Sequence, residues 1–418
     1  MRYEWFIGLR YLKAKRKQTF ISIITVLSIA GVMVGVMALI VVLSVMNGYE
    51  KTLEEKILGT QAHLIVLKAG GEGMDHYEEV TRKTSEIKSV VSASPFILSM
   101  VMLSSGTNVS QVALKGIDPD REGKVTDLAK NLTTGKLLDL KEPQPGGLQG
   151  IILGTELAKH LAMSVGETLQ VISPSGTITP VGMLPKMKPF RVVGVFHSGM
   201  YEYDNSLAYI SLESAQKFLG MGDQVTGVQV KTDDIYRVKE IGREIRKILG
   251  FPFWTRDWME MNRNLLAVLR LQKITMFIIL VLIVLVAAFN IISTLIMVVM
   301  EKNRDIAILK AMGTPSKGIL RIFVIEGLVI GVVGTLLGAI LGLGAAFHLE
   351  KITGWVEQLL GLKILASDVY YIDKLTAQVN PLDVWVIAAT AILISLLATL
   401  YPSWRASKLD PAEALRYE

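Results

Sequence analysis

The side chains able to do covalent, metal or acid–base chemistry are few in this 418-residue chain, and they are scattered. There is no cysteine, which removes disulfides, thiolate zinc, iron–sulfur clusters and cysteine nucleophiles together. It also removes the lipid-acceptor cysteine that a lipoprotein itself carries. The five histidines, His63, His76, His160, His197 and His348, share no ligand spacing, so each reads as a surface or hydrogen-bonded residue rather than a metal ligand. No G-x-x-x-x-G-K-[ST] loop is present to cradle a nucleotide's phosphates. The stretch Gly313 to Gly318 has glycines at that spacing, but its lysine precedes the second glycine and no Lys followed by Ser or Thr comes after it. Neither H-E-x-x-H nor G-x-S-x-G occurs. The sequence thus offers no catalytic constellation, no metal set and no cofactor loop. Work done by such a chain draws its energy from a partner subunit.

What must position the remaining residues is an apolar framework, with 51% hydrophobic and 20% charged residues. The length allows two or three domains, and the hydrophobicity excludes a mainly disordered chain. The apolar residues gather in four blocks. Thr19 to Tyr49, Ile274 to Met300 and Val384 to Trp404 contain no charge, and Ile322 to Phe347 contains one, Glu326. A bilayer-spanning helix needs about 20 apolar residues, and a soluble helix this long would show a charged face. Four transmembrane helices follow. The first is too long for a signal peptide's apolar core, and no A-x-A site follows it, so it reads as a retained anchor. Glu326 sits near the start of its block and reads as interfacial first, functional second.

The formal charge of +6 becomes informative through its placement. Residues 1–18 carry Arg2, Arg10, Lys13, Lys15, Arg16 and Lys17 against Glu4. The 301–321 loop carries Lys302, Arg304, Lys310, Lys317 and Arg321, and the tail carries Arg405, Lys408 and Arg416. The excess of basic residues predicts both termini and the 301–321 loop in the cytoplasm, with residues 50–272 and 348–383 outside. The expected order is a cytoplasmic or interfacial helix (1–18), helix 1 (19–49), an external domain (50–272), helix 2 (273–300), a cytoplasmic loop (301–321), helix 3 (322–347), a short external loop (348–383), helix 4 (384–404) and a tail (405–418). The fold class is an α-helical membrane protein with a large inserted α+β domain.

Within the insertion, strands are expected at Gln61–Leu67, Ile97–Leu103, Val109–Ile117, Phe190–Phe196, Leu207–Ile210 and Val225–Val230. Helices are expected at Tyr77–Val91 and Asp234–Leu249. Residues 151–172 read as strand, helix, turn, strand. The Pro/Gly-rich stretch Glu142–Gly150 reads as a subdomain boundary. Residues 173–189 hold Pro174, Pro180, Pro185, Pro189, Gly176 and Gly182, which argue against helix or central strand. The same stretch carries Ile178, Val181, Met183, Leu184 and Met187. It is either a loop that docks a partner or a long hairpin tip folded back on its own domain.

Three membrane-side features stand out. Gly327, Gly331, Gly334, Gly338 and Gly342 admit a close helix, within one bundle or in a dimer. In the cytoplasmic loop, Asp305 and Ile306 open a short helix that Gly313 and Pro315 close, with Ile306 and Leu309 on one face. It either docks a soluble subunit or lies on the membrane. Residues 2–12 place Trp5, Phe6, Leu9 and Leu12 to one side, as an interfacial anchor would.

One helix, a large external domain and three further helices resemble the permease subunits of ABC transporters in the MacB/FtsX class. More narrowly, the chain resembles the lipoprotein-releasing permeases of the Lol system, LolC and LolE. The matching stretches run from one end to the other. They are Phe6–Tyr11, Gly35–Leu39, Leu43–Gly48, Ala288–Ser293, Asp305–Leu309, Tyr401–Ala406 and the ending Pro411–Glu418. The resemblance implies a non-enzymatic permease of the bacterial inner membrane. Such a permease extracts lipoproteins from the outer leaflet and passes them to a LolA-like periplasmic chaperone. A separate LolD-like ATPase binds the ATP and magnesium, and this chain takes no cofactor, metal or nucleic acid. It implies a chaperone-binding hook at Pro174, Ser175, Gly176, Pro180, Val181, Gly182, Met183 and Pro185. It implies an ATPase-coupling helix with Asp305, Ile306, Leu309, Lys310, Met312 and Gly313. It implies a lipoprotein cavity with Val42 and Met46 on helix 1, Ile274 and Ile278 on helix 2, and Tyr370 and Tyr371 in the second external loop. The hook resembles the LolC type and the second loop the LolE type, so the permease would pair with a second copy of itself or with a related permease. The same class also contains FtsX-like signal transducers and MacB-like efflux permeases.

Overall fold

The computed structural model describes residues 3–12, 19–71, 73–179, 182–361 and 376–410. The chain divides into a helical unit, residues 1–50, 268–362 and 375–418, and a mixed unit, residues 51–267.

Helix α1 is Tyr3–Leu12 and α2 is Thr19–Thr60. The apolar block of α2 ends at Tyr49, but the helix continues because Leu53 and Ile57, four apart, are both buried. The mixed unit then runs β1 (Leu64–Lys68), α3 (Tyr77–Ser85), β2 (Val90–Ser104), β3 (Val109–Ile117), α4 (Glu122–Val125), α5 (Leu128–Asn131), β4 (Leu132–Thr134), β5 (Gln149–Gly154) and α6 (Thr155–His160). It continues with β6 (Thr168–Thr179), β7 (Gly182–Phe196), α7 (Tyr201–Ser206), β8 (Leu207–Ser211), α8 (Leu212–Leu219), β9 (Gly227–Thr232), α9 (Val238–Leu249), β10 (Phe253–Asp257) and α10 (Trp258–Met261).

Six strands close on themselves. Strand β2 pairs with β3, β3 with β8, β8 with β5, β5 with β7, β7 with β6, and β6 returns to β2. The ring removes its own edges, and its alternate side chains, among them Val101, Val112, Leu153, Val171, Phe190 and Ile210, fill one buried cluster. The first half of β2 instead pairs with β9, which pairs with β1, which pairs with β10. A second cluster around Phe196 and Tyr209, whose rings meet edge to face at 5.2 Å, lies apart from the first.

Two sequence expectations change here. The helix from Tyr77 ends at Ser85, because Val90 and Val91 already belong to β2. The stretch Glu142–Gly150 is not a subdomain boundary. Its Pro145–Gly147 forms a single 3-10 turn, with Gly146 and Gly147 at positive φ, and leads straight into ring strand β5.

The helical unit adds α11 (Arg263–Glu301), α12 (Asn303–Ala311), α13 (Ser316–Phe347), α14 (Leu349–Leu360) and α15 (Pro381–Ser407). Among the described residues, four helices (α2, α11, α13 and α15) are long and apolar enough to cross a membrane. Helix α15 starts where Asn380 accepts from the Leu382 N–H and Pro381 occupies the first turn. Helix α14 occupies part of the stretch expected as a plain loop. Its spacing of Ile352, Trp355 and Leu359 is helical, with all three more than 40% exposed.

The glycine row of α13 is used within the chain, and it divides between two neighbours. A Cβ on Gly327 would stand 1.9 Å from Thr399, and one on Gly331 would stand 2.5 Å from Ser395, both on α15. On Gly334, Gly338 and Gly342 it would meet Val32 at 2.8 Å, the Met33 carbonyl at 2.6 Å and Ile40 at 3.1 Å, all on α2. The row is thus filled by helices of the same chain rather than left open for a dimer seam.

Candidate functional site

Three groups of residues carry the functional expectations, and each can be placed on its element. The first is α12. It begins at Asn303, two residues before the expected start, and ends at Ala311, with Gly313 at φ +96° just beyond it. Ile306 and Ala307 are 1% exposed, and Ile306 packs with Val298, Val299, Ile319, Ile322, Phe323 and Ala406, with Leu309 against them. Lys310 donates to the Leu409 carbonyl at 2.7 Å, and Asp305 pairs with Lys302 at 3.4 Å. Ile306, Leu309 and Lys310 therefore fasten the helix to its own bundle. The outward face holds Met312, 78% exposed, and Gly313, together with Ile308, 43% exposed. Ile308 was missed from sequence. The spacing i, i+4 to Met312 was the signal that could have found it.

The second group is the arm formed by β6 and β7. Strand β6 leaves β2 after Ile172 and thereafter pairs only with β7. Ser173 faces Lys186 and Thr177 faces Leu184, so Pro174, Ser175 and Gly176 stand opposite Pro185 alone. The prolines and Gly176 therefore sit at an irregularity that bends a two-stranded arm. They do not abolish the strands, which corrects the expectation of an irregular loop. Thr179 faces Gly182, and Met183 faces Ile178. Pro180 and Val181 lie outside the described residues. At the root of the arm, Met102 faces Ile172 and Ile172 faces Met187 across the ladder, so the three share one side of the sheet. Met102 and Met187 are 46% and 59% exposed, with Leu98 and Met100 next along β2. Adaptable thioethers on an open face suit a partner surface. Sequence reading missed this row because it depends on cross-strand register.

The third group lines helices α2 and α11. Ile274 and Ile278 are 53% and 55% exposed, Val42 is half-buried, and Met46 is buried. The Gln272 side-chain amide donates to the Met46 sulfur at 3.3 Å, and Lys273 pairs with Glu50 at 2.7 Å. Met46 thus lies behind the surface that the two isoleucines present. Tyr370 and Tyr371 lie outside the described residues, as does the ending Pro411–Glu418. The motif Leu43–Gly48 acquires a packing role. Gln378 donates from its backbone to the Ser44 carbonyl at 2.8 Å, Asn47 donates to Asp383 at 2.7 Å, and a Cβ on Gly48 would stand 1.8 Å from the Thr376 carbonyl.

Helix α11 changes character along its length. Phe277, Ile278, Leu282, Val286 and Phe289 are all more than half exposed. Ile291, Leu295, Val298 and Val299 are buried against the bundle. The N-terminal helix α1 also has two faces. Gly8 approaches Ile322 and Ile325, and buried Glu4 meets Arg321 at 3.5 Å, while Trp5 and Phe6 are exposed. It is a packed element with an exposed aromatic face. Glu326 gains a packing context. Because α13 begins at Ser316, this residue lies well inside the helix, and the protein buries it completely, at 0% exposure.

Two family models match the chain. A MacB-like periplasmic core domain covers residues 25–248, and an FtsX-like permease C-terminal region covers residues 277–411. They define the class, an ABC-transporter membrane subunit with a periplasmic domain. The lipoprotein-releasing system transmembrane protein LolC of Neisseria meningitidis serogroup B is 40% identical, with 99% of each chain covered. LolC of Xylella fastidiosa (strain 9a5c) is 39% identical over 99% of this chain and 98% of its own. LolE of Haemophilus influenzae is 31% identical with 99% of each covered. The chain belongs to the family of lipoprotein-releasing system transmembrane proteins, as the terminal-to-terminal resemblance implied.

Proposed function

We propose that this chain is the permease of an ATP-driven complex that lifts lipoproteins out of the outer leaflet of the bacterial inner membrane and delivers them to a LolA-like chaperone. Helices α2, α11, α13 and α15 are its four spans, with both termini and α12 in the cytoplasm. A separate LolD-like ATPase binds ATP and magnesium and docks on Ile308, Met312 and Gly313, beside Asp305. The arm at Pro174–Pro185 and the Met102–Ile172–Met187 row receive the chaperone. A second copy of the chain, or a related permease, completes the transporter.

The observation that carries this reading is the divided surface of α11. Each buried CH₂ of an acyl chain is worth about 0.8 kcal/mol, so the chains leave the bilayer only for another apolar surface. The half of α11 bearing Ile274 and Ile278 supplies such a surface and has few partners of its own. The other half is packed against the bundle and runs directly into α12. A push on α12 therefore reaches the apolar half through a rigid rod. Kinship with LolC over 99% of the chain supports the identity of the cargo.

A photo-crosslinking amino acid at position 274 or 278 tests the cleft. In membranes holding the ATPase, lipoprotein adducts are expected at both positions and are expected to fall when ATP is supplied. Absence of adducts at both, with the complex assembled, would remove the cleft from the account.

A further inference from the structure

Glu326 is the anomaly of the helical unit. Its residue is 0% exposed, and neither carboxylate oxygen has a hydrogen-bond partner. Buried carboxylates are ordinarily paired and hydrogen-bonded. The charge that reaches Glu326 across the helix interface is that of Lys302. Lys302 is itself buried, at 6% exposure, and its Nζ lies 3.4 Å from Asp305, whose side chain is 46% exposed. One buried acid thus lacks a partner while the nearby buried base holds a half-exposed acid on α12.

The packing brings the two within reach. Along α11 and one residue past its end, Leu295, Val298, Val299 and Lys302 follow one face at three- and four-residue spacing. On α13, Ile322, Phe323, Glu326 and Gly327 do the same. Val298 and Val299 pack with Ile322 and Phe323, and Leu295 stands 3.2 Å from a Cβ built on Gly327. Helix α11 therefore descends as α13 rises. A side chain in a helix leans toward that helix's N-terminus. Lys302, held in helical register by its N–H to the Val298 carbonyl, leans up along α11. Glu326 leans down along α13. The two side chains converge.

We propose that Glu326 is the second partner of Lys302. When the ATPase pushes α12, the ammonium leaves Asp305 for Glu326, and this exchange passes the push to α13. The proposal rests on the reading of α12 as the ATPase contact. It makes Glu326 and Lys302 positioning residues for transport. Two discrete pairings give the bistable element that a power stroke needs, since packed interiors switch rather than deform continuously.

The test uses the permease–ATPase complex in proteoliposomes, reading lipoprotein transferred per ATP hydrolysed, with co-purified ATPase as the measure of assembly. Glu326→Gln and Lys302→Met each lower that ratio by about tenfold, within the range of allosteric coupling energies, with assembly intact. The double variant falls no further than the worse single one, and Glu326→Asp keeps part of the ratio. A parent-like ratio in Glu326→Gln, or single effects that multiply in the double variant, overturns the proposal. A second arm needs no lipoprotein. The native pair can be trapped without substitution, because a membrane-permeant carbodiimide activates the Glu326 carboxylate and the Lys302 amine displaces the urea to form an isopeptide bond, which peptide mass spectrometry reads. Trapping rises severalfold in the ATP-locked complex over the nucleotide-free one, and equal yields overturn the exchange. If the parent complex transfers no lipoprotein at all, the functional reading falls while the trapping arm still decides the pairing.

Discussion

The α13 glycines make a sharp prediction, because one residue type occurs in two environments on one helix. A Cβ on Gly338 would stand 2.6 Å from the Met33 carbonyl and 2.8 Å from the Val36 Cβ, whereas one on Gly344 meets nothing within 4 Å. Ordinary contact begins at 3.4 Å, so Gly338→Ala forces α2 back by about 0.8 Å. A gap of about 0.5–1 Å forfeits a quarter to a half of each contact's attraction, and the same seam includes Gly334 and Gly342. Overpacking of this kind costs about 1–3 kcal/mol. Gly344→Ala meets no obstacle and gains helix propensity, about 0.8–1 kcal/mol. Gly338→Ala gains the same propensity, so the two variants should differ by the overpacking cost, about 1–3 kcal/mol, with Gly344→Ala the more stable. Equilibrium unfolding of the purified full-length chain in mixed micelles, with steric trapping to report separation of α2 from α13, measures both. Equal stabilities for the two variants would refute the close-packing argument, and a destabilised Gly344→Ala would refute the contact geometry.

Three further outcomes follow from the sites. Met312→Asp places a charge on the exposed face of α12 and should lower ATPase co-purification by at least about tenfold, or roughly 1.4 kcal/mol, whereas Lys317→Ala should not. Met187→Glu should weaken capture of the chaperone about tenfold, as expected for the loss of an apolar contact, while leaving the unfolding of the mixed unit unchanged. The third concerns pH. Burial first, and Lys231 second, hold His63 below its ordinary value, and its Nδ1 accepts from the Thr232 N–H at 3.2 Å. The folded state therefore favours neutral imidazole and the unfolded state binds the extra proton. The contribution of His63 is full above the unfolded value of about 6.5 and is lost as pH falls below it. Thermal unfolding of the parent should weaken below that pH, and His63→Gln should flatten the slope.

The membrane helices were legible because charge is absent over whole bilayer lengths, a signal that needs no tertiary context. Their ends were not. Leu53 and Ile57 extend α2 by burial in the mixed unit, and Ser316 starts α13 two turns before its apolar block. That shift places Glu326 well inside α13, where it is fully buried in the protein. The location of the β6–β7 arm was readable from its prolines, but its form was not, since Pro174 and Pro185 sit at a ladder irregularity that only register reveals. The exposed row Met102–Ile172–Met187 joins residues distant in sequence and depends on the same register. The short helix α12 was readable, although packing of Ile306 and Leu309 against the bundle leaves Ile308 and Met312 as its exposed apolar face.

The central claim is that this chain moves lipoproteins from a bilayer to a soluble carrier. Proteoliposomes holding the permease, its cognate ATPase and a triacylated lipoprotein, mixed with the chaperone, test it directly. Soluble chaperone–lipoprotein complex should accumulate with ATP and magnesium, and it should not accumulate with a non-hydrolysable analogue or without the chaperone. ATP hydrolysis that proceeds while all the lipoprotein stays in the membrane would contradict the account and point to a signal-transducing permease instead.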